Sequence, residues 1–190
     1  MTEQQLIEGC LKKDRRCQNA LYKKYYPLLS SIALRYCSSR EDANEQINFS
    51  FLKVLQNLKK YQKDRKLSTW IRTIMVHHLI DEYRKSKKHI SSVYIELDGE
   101  SNHGLEMNLI EKKYTEEALR FMLKSLPDVS RTVFNLFAID GYTHKEIAEM
   151  LSISIGTSKW HVSEARTRLK ALLLKQEDRE KKMIGIGNER

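Results

Sequence analysis

At 190 residues the chain has room for one large domain or two small ones, and two prolines and seven glycines favour helix throughout. A formal charge of +9 points to a polyanionic partner, because lysines and arginines that neutralise phosphates release condensed counterions. Cys10, Cys17 and Cys37 form no close C-x-x-C pair and have no histidine among them, so neither a disulfide framework nor a metal knuckle is indicated and no cofactor is expected. Met1 to Lys13 carries Glu and Gln where a signal peptide needs an apolar run, and no stretch approaches a membrane span. The expectation is a reduced, cytoplasmic protein with no membrane insertion.

In chain order, a short helix around Glu3 to Lys12 precedes an amphipathic helix in which Leu21, Tyr25, Leu28, Leu29, Ile32 and Ala33 recur at helical spacing, with Pro27 predicting a kink or a break. Arg40-Glu41-Asp42 opens the next helix, with Ala43, Ile47, Phe51, Val54, Leu55 and Leu58 inward. Its other face carries Glu45, Gln46, Phe49, Ser50 and Lys53, and an aromatic among polar neighbours there suggests a protein contact. A third helix starts at a Ser68-Thr69 cap and runs past Arg84 to Lys88. Ile71, Ile74, Met75 and Leu79 are its predicted buried face, which leaves Arg72, Thr73, Val76, His77 and Arg84 for phosphates or bases. Trp70 either stacks on an unpaired base or anchors the helix to the core.

Periodicity then fails. Ser91-Ser92, Asp98-Gly99-Glu100-Ser101-Asn102 and Gly104 read as a flexible acidic linker over 89–112. Tyr114 to Leu126 is a helix with Ala118, Phe121, Met122 and Leu126 inward, and Asp128 is expected to cap another that carries Val129, Val133, Phe134, Leu136 and Phe137. Tyr142 to Val162 reads as helix, tight turn, helix. Thr143 and Glu146 form a capping box on the first helix, and Ser152 sits where glycine would suit a left-handed backbone. The second helix has its inward stripe at Ser158, Val162, Ala165, Leu169 and Leu172, so that Thr157, Trp160, Glu164 and Thr167 lie opposite with Lys159, His161, Ser163 and Arg168 on the flanks. Such a helix enters the major groove N-terminus first. The charged tail 176–190 is expected to fray. The reading is an all-α protein of two small helical domains, 1–88 and 113–175, the latter a four-helix domain with a helix-turn-helix.

Both lobes resemble one family. Asp42-Ala43, Ile47-Asn48, Phe51-Leu52-Lys53-Val54, then Thr69-Trp70-Ile71 and Ile74 with Asp81 and Arg84, then Leu126-Pro127 and Gly156-Thr157-Ser158-Lys159 are similar to the extracytoplasmic-function sigma factors of bacteria. The resemblance implies that 1–88 is a region 2 domain and 113–175 a region 4 domain. It implies binding of the clamp of the largest subunit of core RNA polymerase through Gln46, Asn48, Phe49, Ser50 and Lys53. Recognition and opening of the −10 element would use Ser68, Thr69, Trp70, Arg72, Thr73, His77 and Arg84. The C-terminal lobe would dock on the polymerase flap and read the −35 element through Thr157, Lys159, Trp160, His161, Ser163, Glu164, Arg166 and Arg168, with Glu164 accepting from a cytosine amino group. Duplex and single-stranded promoter DNA would both be ligands, and an anti-sigma factor a further partner.

Two rival functions are weighed on the same residues. A metallohydrolase would build on His77-His78 and Asp81-Glu82, imidazole and carboxylate four apart on a helix, yet no second ligand cluster, nucleophile elbow or phosphate-cradling loop accompanies them. A helix-turn-helix transcription regulator would use the N-terminal lobe as an effector or dimerisation domain, and that leaves the basic, Trp-led helix without a purpose.

Overall fold

The computed structural model describes residues 1–62, 64–88 and 116–187, and every regular element among them is helical. The acidic connector over 89–112 lies outside the described residues. The chain divides into two compact units, Met1–Ser92 and Val93–Arg190.

In the N-terminal unit α1 spans Glu3–Leu11, α2 Arg15–Tyr36, α3 Arg40–Asn57 and α4 Leu67–Lys88, with a 3₁₀ turn at Leu58–Lys60 after α3. Local chemistry sets the starts. Thr2 and Gln5 form a capping box on α1, the Asp14 carboxylate accepts from the Arg16 and Cys17 amides, and Ser39 Oγ accepts from the Asp42 amide. Helices α2, α3 and α4 pack on one another around Leu21, Leu29, Ile32, Ile47, Val54, Leu67, Ile71, Met75 and Val76, with α1 against α2. The Glu3 carboxylate ties α1 to α2 by accepting from Lys24 Nζ at 2.8 Å and the Tyr25 hydroxyl at 2.6 Å. These bonds hold its pKa below the usual carboxylate value.

Three expectations are corrected here. Pro27 neither kinks nor ends α2, which runs unbroken from Arg15 to Tyr36. Pro27 and Lys23 are both exposed, so the carbonyl that loses its amide partner can turn to water. Helix α4 begins at Leu67, because the Thr69 and Trp70 amides already donate to the Lys66 carbonyl; Ser68 and Thr69 therefore lie within the first turn instead of capping it. Val76 is fully buried. Cys10, Cys17 and Cys37 are all buried free thiols, and burial pushes the Cys10 thiol up to about 11.

In the C-terminal unit α5 spans Glu116–Lys124, α6 Asp128–Phe134 continuing into a π turn at Asn135–Ile139, α7 His144–Leu151 and α8 Ile155–Gly187. Met122, Leu123, Leu126 and Phe134 pack on Ala165 and Leu169 of α8 as the core. Phe121, expected inward, is 77% exposed, since Met122 and Leu123 take the buried face of α5. Asp128 is the first residue of α6 and not its cap; Pro127 holds that position and the Asp128 carboxylate pairs with Arg131 at 2.9 Å. Helix α8 continues past Leu174. Lys, Gln, Glu and Arg are strong helix formers, and the backbone stays helical through them to Gly187.

Candidate nucleic-acid interface

The helix-turn-helix is built by local rules. Thr143 Oγ1 accepts from the Glu146 amide at 3.2 Å, and the Glu146 carboxylate in turn accepts from the Thr143 amide at 2.8 Å. Helix α7 ends where Ser152 turns left-handed at φ 57 and ψ 45, with its amide on the Ala148 carbonyl. Ser154 then opens α8, accepting from the Thr157 amide at 2.9 Å and lying 2.8 Å from the Thr157 hydroxyl. Thr157 is thereby held in the cap of the helix it was expected to project from.

The two helices are pinned by a pair that lies too far apart in sequence for periodicity to reveal. The Ser158 hydroxyl is fully buried and meets His144 Nδ1 at 3.0 Å. The His144 ring stacks on Phe137 at 4.3 Å, and the Arg166 guanidinium lies 5.8 Å from the centroid of the same Phe137 ring. Burial, then the charges of Lys159 and Arg166, lower the pKa of His144 and keep the ring neutral at pH 7.

On the outer surface of α8, Lys159 and Arg168 are exposed, while Trp160, Ser163 and Arg166 are half-buried. Two expected base readers are placed differently. The His161 and Glu164 side chains are only 15% and 19% exposed, because both turn toward Ser130 of α6. Ser130 Oγ lies 2.9 Å from His161 Nδ1 and 2.6 Å from Glu164 Oε2, and Glu164 Oε1 accepts from Arg168 at 2.8 Å. Both carboxylate oxygens of Glu164 are thus engaged within the protein, which disfavours the expected bond to a cytosine amino group. Burial depresses the His161 pKa, and the Glu164 charge opposes that effect without reversing it.

In the N-terminal unit Thr69, Thr73 and His77 are exposed and follow one another at four-residue steps on one face of α4, with Arg84 exposed further along. Ser68 and Arg72 are half-buried beside them. Trp70 is half-buried, its ring 5.4 Å from that of Tyr61, so the structure gives it an aromatic partner that the sequence reading did not include. His78 is buried at 4% exposure while its neighbour His77 faces outward, so the two imidazoles do not converge. Among the described residues no group of three His, Cys, Asp or Glu is placed to hold a metal ion.

The α3 face is mixed. Phe49 and Leu52 are 48% and 50% exposed, an apolar pair of which only Phe49 was read as a contact. Asn48 Oδ1 accepts from the Tyr22 hydroxyl at 3.0 Å, Gln46 donates to Asp42 at 3.2 Å, and Lys53 Nζ lies 4.0 Å from Asp81. Ser50 is a correction. It is fully buried, three residues after Ile47 and four before Val54 on the inward stripe, and has no surface to offer a partner.

A helix-turn-helix with a basic outer helix, in a chain whose other unit also presents a polar, aromatic-led helix, defines a DNA-binding protein of two helical units. The family description "Sigma-70 region 2" matches residues 21–89 and "Sigma-70, region 4" matches residues 116–169. The chain is 26% identical over 148 residues to the ECF RNA polymerase sigma factor EcfG of Rhodopseudomonas palustris, covering 77% of this chain and 80% of that one. It is 25% identical over 171 residues to the RNA polymerase sigma factor YlaC of Bacillus subtilis, covering 89% and 99%, and 27% identical over 175 residues to the sigma-E factor of Salmonella typhimurium, covering 87% and 91%. The chain belongs to the sigma-70 family of RNA polymerase sigma factors, in its extracytoplasmic-function group. It is a non-catalytic specificity subunit that binds core RNA polymerase and promoter DNA and directs promoter-specific transcription. Among the described residues no helix is long and apolar enough to cross a membrane.

Proposed function

We propose that the work of initiation is divided by surface. The exposed face of α3, with Gln46, Asn48, Phe49, Leu52 and Lys53, takes the clamp of the polymerase largest subunit. Helix α4 takes the −10 element as it opens, with Thr69, Thr73, His77 and Arg84 along the strand and Trp70, Ser68 and Arg72 at their edge. Helix α8 takes the −35 duplex while the C-terminal lobe docks on the flap. The single observation that carries this reading is the projecting start of α8. It is fixed by the Thr143–Glu146 box and the left-handed Ser152, and its outer surface holds Lys159, Arg166 and Arg168.

Each lobe offers few DNA contacts, so the segment 89–112 would serve as a tether whose entropic cost is recovered once polymerase fixes the separation of the two elements. Its location would be the cytoplasm, with its polymerase. An anti-sigma factor would act by covering the α3 face and α8 together. The test is transcription reconstituted with bacterial core polymerase on a promoter library. The expected result is initiation confined to promoters sharing two spaced elements. Binding of duplex DNA without polymerase and no initiation with it would instead mark an ordinary operator-binding regulator.

A further inference from the structure

The hydroxyl of Ser130 has one proton and two neighbours that compete for it. Ser130 is 1% exposed on α6, 2.6 Å from Glu164 Oε2 and 2.9 Å from His161 Nδ1. An ionised carboxylate only accepts, and the short contact is the stronger one, so the serine proton goes to Glu164. The serine oxygen is then left as an acceptor toward the imidazole, and Nδ1 must carry hydrogen. Since burial keeps His161 neutral, its other nitrogen has a lone pair. That atom, Nε2, has no hydrogen-bond partner among the described residues and is not among the buried unpaired atoms.

Resting on the reading of α8 as the duplex-reading helix, we infer that His161 is a specificity-determining residue that offers Nε2 as an acceptor to a base amino group, and that Ser130 and Glu164 are positioning residues that fix its tautomer. In the major groove the amino donors are those of cytosine and adenine. Glu164 does not read a base itself: Arg168 occupies Oε1 at 2.8 Å and Ser130 occupies Oε2. The Trp160 ring lies 4.9 Å from the imidazole in an edge-to-face arrangement.

The test has two arms. In the full-length chain carrying ¹⁵N-histidine, long-range proton–nitrogen spectra, with the His161 signal assigned by its loss in H161Q, should show the proton on Nδ1. The S130A signal should move toward the Nε2–H tautomer and the S130T signal should return. A wild-type ring protonated at Nε2 overturns the inference whatever DNA does. In the second arm, holoenzyme made with core polymerase is run on a library randomised across the upstream element. S130A, which alters a buried side chain on another helix, should weaken the preference for an amino-bearing base at one position by about two- to ten-fold. S130T should restore it, and E164Q, whose amide oxygen can still accept the Ser130 proton, should keep the preference while lowering all promoters evenly through the lost charge pair with Arg168. Thermal melting of the same samples separates lost preference from lost fold. A base preference that moves with E164Q and ignores S130A overturns the inference. No promoter-specific initiation by the wild-type chain overturns the underlying reading, and the inference with it.

Discussion

Replacing Ser152 by glycine should stabilise the C-terminal lobe. Ser152 holds φ 57 and ψ 45 at the end of α7, where a Cβ crowds the following carbonyl at a cost of about 1–2 kcal/mol. Glycine removes that strain but gains freedom in the unfolded chain, which returns about 0.5–1 kcal/mol to the unfolded side. The side chain is exposed, so little packing is lost. The difference favours the glycine variant by about 0.5–1 kcal/mol, or a rise of about 2–8 °C in the melting temperature of a domain this small. The chain has two tryptophans, one in each unit, and in a W70F background Trp160 alone reports on the C-terminal lobe. Thermal unfolding followed by Trp160 fluorescence should show the S152G midpoint above its parent. A midpoint equal to or below the parent would refute the strain argument.

In the N-terminal unit, a Cβ on Gly9 would overlap Cys17 Sγ and fall 2.7 Å from its Cβ, so G9A should overpack the corner between α1 and α2 and cost about 1–3 kcal/mol, read by Trp70 fluorescence in urea with Trp160 replaced. His78, His144 and His161 all have pKa values held below the histidine reference of 6.5, chiefly by burial. The folded state then binds fewer protons than the unfolded one between the folded and unfolded pKa values, so stability should be full above about 6.5 and fall as pH drops through that window. Chemical denaturation between pH 7.5 and about 5 checks the direction, and a midpoint that rises on acidification would contradict it. R168A removes a half-exposed guanidinium beside Glu164 and should weaken all promoters similarly, with a salt slope shallower by about one, measured as initiation against potassium concentration.

The sequence made the helix-turn-helix legible because its signals are local. Thr143, Glu146 and Ser152 act over three or four residues, and the structure places a capping box and a left-handed turn at those positions. The inward stripe of α8 was equally readable, since Val162, Ala165 and Leu169 repeat at the helical period and all three are buried. What periodicity could not supply was the partner of each polar group on that stripe or its margin. Ser158 finds His144 fourteen residues earlier, and Glu164 finds Ser130 thirty-four residues earlier. A helical wheel shows which way a side chain leaves its own helix, whereas the neighbouring helix decides whether it reaches solvent. Phe121 and Pro27 failed for related reasons. Three adjacent apolar residues, Phe121, Met122 and Leu123, compete for one buried face of α5, and an exposed proline can be carried by a helix held from its opposite side by Leu21, Tyr25, Leu29 and Ile32.

Helix α3 reverses the usual order of burial over four residues, and the reversal separates function from stability. Phe49 and Leu52 stand about half exposed, while Ser50 between them is fully buried with a hydroxyl that has no hydrogen-bond partner among the described residues. A chain selected for stability alone would place an apolar side chain at 50 and polar ones at 49 and 52, because an unpaired buried hydroxyl costs about 1–3 kcal/mol and exposed apolar surface gains nothing. Ser50→Ala should therefore stabilise the N-terminal unit by about 1 kcal/mol, with the loss of the hydroxyl partly offset by the small void it leaves. Because Ser50 has no exposed surface, the same substitution should leave affinity for core polymerase unchanged, measured by competition for core enzyme against the wild-type chain. Weakened binding at unchanged stability would instead return Ser50 to the contact surface and would require α3 to rotate when polymerase binds.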